Sequence, residues 1–355
     1  MSEGILTNDQ MDDSLGVKVL DWISDAFYGS LRVINEKGIK TENKFEIGRQ
    51  AFKKLGGPYI AGHTLREGLE EITKYWETNG QYSTFDILGE AAKTNETADR
   101  YRKAYGDMID MLSERFTDVT PATISVKPTG ICAVTKGKDR TIRSGDLEIQ
   151  LEKILSHAKE KGINVTLDME DYNWTNESLL VAQSLWHKGY DNLGIVLQSR
   201  MLRNYDDIEN HLERTIHEIP KDKIRVRACI GIYREGKDIA TTSKRKAKRM
   251  LVRDIKKMFE AGIYVEIATH DHKVINEVVD YIKENDINSD RFEFQFLKGV
   301  QKGYEAAKRL QTEGYKTRFY MPTEIKPGDG DAYIERRLCA NPELVVSGAR
   351  NLFHL

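Results

Sequence analysis

Cysteine is scarce: Cys132, Cys229 and Cys339 are the only three in 355 residues, far apart and without a C-x-x-C spacing. An odd number so placed excludes a disulfide framework and a thiolate metal site, and a reducing compartment is expected. Net charge is scarce too. Fifty-four lysines and arginines stand against 56 aspartates and glutamates, a balance of −2 that gives no field to draw the whole chain to nucleic acid or an anionic membrane. A small-molecule partner is the default that follows. No stretch reaches the roughly 18 uncharged apolar residues that a membrane span needs. The opening MSEGILTNDQMDD is acidic and lacks the basic start and apolar run of a secretory signal. The expected location is cytoplasmic, with peripheral contact at the inner membrane left open. Solenoid repeats and low-complexity tracts are lacking as well.

What is present is an alternation. From Gln81 onward the runs QYSTFDIL, ATISVKP, INVTLDME, NLGIVLQS, IRVRACI, IYVEIATH, FEFQFL and KTRFYMP are rich in β-branched or aromatic residues and read as eight strands. Between them lie segments such as DLEIQLEKILSHAKEKG and KRKAKRMLVRDIKKMFEAG, with apolar residues at three- and four-residue steps and a closing glycine. Strand and helix units of this number over roughly 250 residues predict an α/β fold, a closed (β/α)8 TIM-type barrel across residues 81–355. A doubly wound open sheet is the alternative, but no G-x-G-x-x-G follows any strand. In residues 1–80, VKVLDWISDAF and TLREGLEEITKYWETNG are amphipathic and helical, and are expected to form an N-terminal helical arm packed on the barrel's outside.

Barrel active sites are assembled at the C-terminal ends of the strands. Here those ends are polar: Lys127 after the second strand, Asp168-Met169-Glu170-Asp171 after the third, Gln198 at the fourth, Thr269-His270-Asp271 after the sixth and Tyr320 on the eighth. Lys127 and Asp168 are expected to form an ion pair between adjacent strand ends. Arg227 sits inside the otherwise apolar IRVRACI, where a guanidinium must point into the barrel and find acceptors. After the last strand comes GDGDAYIERRL. With Asp331 as N-cap, Tyr333, Arg336 and Arg337 share one face of a short helix, an arrangement that suits a small carboxylate on an apolar body.

The motifs ISVKPTGI, TLDMED, IVLQS, VRACIGIYREGKDIA, IATHD, FEFQFLKG, TRFYMP and YIERRL occur in the order seen in the proline dehydrogenases. The chain resembles that family from about residue 81 to about 343, and the GRQAFKKL stretch adds to the likeness. The resemblance implies a barrel carrying FAD across its strand ends, oxidation of L-proline to 1-pyrroline-5-carboxylate, and electrons passed to a quinone. It implies Asp168 and Arg227 as catalytic residues. Lys127, Tyr320, Tyr333, Arg336, Arg337 and Leu297 would then hold the substrate. Met169, Gln198, Arg227, Ile230, Gly231, Ile232, Thr269 and His270 would hold the cofactor, with no metal required. Some positions depart from the family's pattern. Cys229-Ile230-Gly231-Ile232-Tyr233 stands where V-K-G-A-Y is usual, Ala340 where glutamate is usual, and Pro128 where leucine is common. Tyr320 favours proline over hydroxyproline, because hydroxyproline-oxidising relatives tend to carry a smaller residue there.

Three other readings stand beside this one. A lyase or aldolase would form a Schiff base on Lys127. A hydrolase would bind metal through His270-x-His272. The third is a non-catalytic binding protein for amino acids. The oligomeric state is left unspecified.

Overall fold

The computed structural model describes residues 57–134, 144–213, 219, 224–233 and 235–330. Its strands are β1 (Tyr82–Ile87), β2 (Ala122–Val126), β3 (Val165–Leu167), β4 (Leu193–Gln198), β5 (Arg225–Cys229), β6 (Tyr264–Ala268), β7 (Phe292–Leu297) and β8 (Thr317–Thr323). All pair in parallel in chain order, and β8 returns to β1, so the sheet closes into a barrel. Seven fall within the runs picked out above, and β8 runs one residue past its own, to Thr323.

The long helices are α1 (Leu65–Asn79), α2 (Asn95–Arg115), α3 (Ser144–Glu160), α4 (Thr175–His187), α5 (Lys244–Ala261), α6 (His272–Glu284) and α7 (Gln301–Thr312). Their ends follow local chemistry. The side chains of Thr64, Ser243 and Asp271 accept N–H groups from the first turns of α1, α5 and α6. Gly80 and Gly262 close α1 and α5 in the left-handed conformation, with φ of 62° and 87°. Helix α1 lies flush on the barrel wall: a Cβ added at Gly68 would meet Thr323 Oγ1 at 2.6 Å and Phe85 at 2.8 Å. The rest of the expected helical arm, residues 1–56, lies outside the described residues.

Alternation along each strand sends apolar residues outward to the helices and polar ones into the barrel. Phe292, Phe294, Phe296 and Phe319 are buried on the outer face, where Phe319 stacks on Tyr304 of α7 with 4.9 Å between ring centres. The lumen of such a barrel is ordinarily filled by Val, Ile and Leu. Here Asp86, Asp168, Glu266 and Glu293 meet Lys127, Arg225, Arg227 and Arg318 instead. Lys316, partly exposed, adds a further cation 3.3 Å from Glu293, so each carboxylate of this network has a cation beside it. Deepest lies Arg318, paired with Glu293 through two guanidinium nitrogens and donating to Ser83 O at 2.7 Å. Burial alone would raise the pKa of Glu293, but Arg318 holds it well below the usual carboxylate range.

Candidate active site

Arg227 is the link between the deep network and the mouth. Its Nε donates to Gln295 Oε1 at 2.8 Å, and its Nη1 donates to Asp168 Oδ1 at 2.9 Å and Ser125 Oγ at 3.2 Å. The contact from β5 to β2 crosses the lumen, since these strands are not neighbours. The guanidinium lies 5.2 Å from the centre of the Tyr320 ring. Burial disfavours its charge, but Asp168 and Glu266 more than compensate, so it stays a cation. Its remaining nitrogen, Nη2, is buried and finds no hydrogen-bond partner among the described residues.

Asp168 gathers three donors: Ser125 Oγ at 2.7 Å, Arg227 Nη1 at 2.9 Å and the Tyr320 hydroxyl at 2.8 Å. The expected pairing with Lys127 is loose, at 4.0 Å. The close partner of Lys127 is Asp86 of β1, and the ammonium also donates to Ile87 O at 2.9 Å. Asp86 is fully buried, and burial pushes its pKa up to about 6 although Lys127 pulls the other way. Burial also works against the charge on Lys127, yet Asp86 and Asp168 hold its pKa above the ordinary lysine value. It is therefore an ammonium at neutral pH, and not the free amine that a Schiff-base mechanism needs.

Around this centre stand the other predicted residues. Gln198, buried, donates to Glu170 O at 2.7 Å, while its Oε1 has no partner among the described residues. Gly231 has φ of 88°, and a Cβ there would lie 2.2 Å from that same Oε1. Ile230 packs against the core, Ile232 is 55% exposed, and Met169 and Thr269 are buried just past β3 and β6. Leu297 ends β7, half buried, and its N–H donates to His270 Nε2 at 2.9 Å. His270 is thus a brace between the exits of β6 and β7, and the described residues hold no group of three or more His, Cys, Asp or Glu placed to share a metal. Pro128 is the first residue of a short helical turn, Pro128–Ile131, that leaves from Lys127. Tyr333, Arg336, Arg337 and Ala340 lie outside the described residues.

Seven lumen residues were not picked out from the sequence: Asp86, Ser125, Arg225, Glu266, Glu293, Gln295 and Arg318. The strict alternation of FEFQFL and the polar Thr84 and Asp86 in YSTFDI carry the signal, since the inward positions are polar and the outward ones apolar.

The sequence profile of the family described as proline dehydrogenase matches residues 69–344. The chain is 28% identical over 314 residues to a proline dehydrogenase of Deinococcus radiodurans, covering 85% of this chain and 92% of that protein. It is 29% identical over 285 residues to proline dehydrogenase 1 of Bacillus subtilis strain 168, covering 80% and 86%. In structure it is similar to proline utilization A from Bdellovibrio bacteriovorus inactivated by N-propargylglycine, with a TM-score of 0.77 at 23% identity, over 91% of this chain and 37% of that one. A variant of Bradyrhizobium japonicum proline utilization A gives a TM-score of 0.69 at 25% identity, over 90% and 34%. The chain therefore spans little more than a third of these larger proteins, and the first likeness speaks for the fold.

Proposed function

The chain belongs to the proline dehydrogenase family, and we propose that it oxidises L-proline to 1-pyrroline-5-carboxylate with FAD as resident cofactor and a quinone as onward acceptor. The observation that carries this reading is the mouth itself. A fixed guanidinium with an unspent Nη2, an unspent amide oxygen and a glycine with no room for a side chain stand there, beside a lysine cation and a tyrosine anchored on Asp168. These features fit a flavin, whose ring edge offers both acceptors and a donor. Arg227 Nη2 and Gln198 Oε1 would serve that edge, with Met169, Ile230, Gly231, Ile232 and Thr269 around it and His270 bracing the rim. When bound, FAD supplies the hydride acceptor.

The chain's own residues do the rest. Lys127, with Arg336 and Arg337, binds the substrate carboxylate, while Tyr320, Tyr333 and Leu297 wall the pyrrolidine ring. Tyr320 cannot swing freely, because its hydroxyl donates to a half-buried carboxylate that two further donors fix. A substrate gripped at one end by rigid donors keeps its reacting C–H in one direction. Proline must also release its ammonium proton to solvent before the C=N bond forms, and Lys127 and Arg227 favour the neutral amine by like-charge repulsion.

The visible spectrum of purified protein tests this. Flavin bands are expected, bleaching under anaerobic conditions when L-proline is added, and kcat/KM is expected to rise on the alkaline side of neutrality. A colourless protein that binds proline unchanged, or an acid optimum, would refute the reading.

A further inference from the structure

The chain leaves β8 through a turn built around one carboxylate. Glu324, next after Thr323, is 1% exposed. Its Oε1 accepts the backbone N–H groups of Gly328 at 3.1 Å and Gly330 at 2.8 Å, and its Oε2 lies 2.7 Å from His63 Nδ1. Its own N–H donates to Gly62 O at 2.9 Å. One side chain thus ties together the lead-in to α1, the end of β8 and the Pro327-Gly328-Asp329-Gly330 turn. That turn also presses on the exit of β1. Leu88 donates its N–H to Thr323 O at 2.7 Å, and a Cβ at Gly330 would lie 2.7 Å from Leu88 Cδ1. Gly328 takes φ of 97°, which glycine alone adopts readily.

Nothing in the proline reaction uses Glu324. A carboxylate taken out of water is costly unless its lone pairs are met, and here backbone N–H groups and an imidazole meet them. A turn rich in Gly, Pro and Asp closes without such help. Its effect is to fix where Gly330 stands, and the residues that follow in the sequence are Asp331, Tyr333, Arg336 and Arg337. We propose that Glu324 is a positioning residue for the substrate carboxylate, setting the point from which the arginine-bearing segment departs. The inference rests on the reading of Arg336 and Arg337 given above. Bidentate forks tolerate little displacement, so a shift of about 1 Å at their origin is enough to weaken the grip.

The test compares Glu324→Ala, Glu324→Gln and wild type as full-length, flavin-loaded proteins. Glu324→Ala is expected to raise the KM for L-proline about tenfold and to weaken inhibition by cyclopentanecarboxylate to the same degree, with kcat and flavin content near wild type. Glu324→Gln keeps an acceptor for the two glycine N–H groups and is expected to restore both. Should Glu324→Ala fail to fold, Gly330→Ala, which keeps the carboxylate but sets a Cβ 2.7 Å from Leu88 Cδ1 and 3.0 Å from Glu324 Oε1 and so displaces the turn, must raise KM likewise. An unchanged KM in the folded variant overturns the inference, as does a fall in kcat and flavin content with inhibitor binding intact. Absence of proline oxidation in the wild type would overturn this inference together with the proposed function, whereas wild-type activity with an unchanged KM in the variants overturns this one alone.

Discussion

Replacing Asp86 by asparagine removes a carboxylate that is fully buried and paired closely with Lys127. Burial, with a smaller push from Asp168, raises its pKa from 3.8 to about 6 against the pull of Lys127. A carboxylate whose pKa is higher in the folded than in the unfolded chain binds more protons when folded between those two values. Its contribution to stability is therefore full below about pH 4 and lost as pH climbs through 6. A difference of about two pKa units corresponds to about 3 kcal/mol. With an unfolding entropy of about 2.1 cal/mol/K per residue, a chain of 355 residues shifts its Tm by about 4 °C for that energy. Thermal unfolding of wild type and Asp86→Asn in steps from about pH 4 to 8 reads it out. The Tm of the variant minus that of the wild type is expected to rise by a few degrees up to about pH 6 and then stay level. Asp86 is also the stronger of the two carboxylates that hold Lys127 charged against its burial, so its loss adds a destabilising offset of its own to the variant. A difference that is flat across the range would refute the account of Asp86 as a carboxylate held against its own burial.

Two further substitutions separate the mouth from the deep lumen. Gly231→Ala forces a Cβ to within 2.2 Å of Gln198 Oε1 on backbone at φ of 88°, so the purified variant should keep its far-ultraviolet spectrum while its flavin-to-protein absorbance ratio falls several-fold; an unchanged ratio would count against the cofactor site placed there. Arg318→Met leaves Glu293 buried without its guanidinium, which should cost about 3–5 kcal/mol and lower Tm clearly while the KM for proline stays put; an unaltered Tm would mean that the deep network contributes nothing net.

The barrel was legible because each strand is a β-branched or aromatic run set between amphipathic helices with recognisable ends. The site was legible wherever a polar residue stood at the end of such a run, as with Lys127, Asp168, Gln198 and Tyr320. The partner of Lys127 was not. Strand register puts Val126 level with Leu167, so Lys127 and Asp168 are level neighbours, whereas Asp86 is level with Ser125, one inward step lower. Asp168 is already taken by Ser125, Arg227 and Tyr320, and the long lysine stem reaches down and across to Asp86. Competition for a carboxylate among four donors from three strands is a property of the closed lumen, not of any one segment. The same holds for His270, whose ring nitrogen is turned to the Leu297 N–H by the spacing of two strand exits.

Charge in the lumen also explains how Arg227 can present its unspent Nη2 in a fixed direction. Its Nε is held by Gln295 Oε1, and the amide nitrogen of Gln295 donates in turn to Glu266 Oε2 at 2.8 Å and Glu293 Oε1 at 2.7 Å. Glu266 is fixed by Arg225 at 2.8 Å and Glu293 by Arg318. A lumen of leucine and valine would give Arg227 no such purchase, and a lumen of unbalanced charge would shift its neighbours' protonation instead of orienting them. Pairing each carboxylate with a cation lets the network define direction while adding little field at the mouth, where the substrate brings its own carboxylate and must shed a proton. Orientation at the rim is thus set by residues that never touch substrate, down to the pair at the barrel's floor.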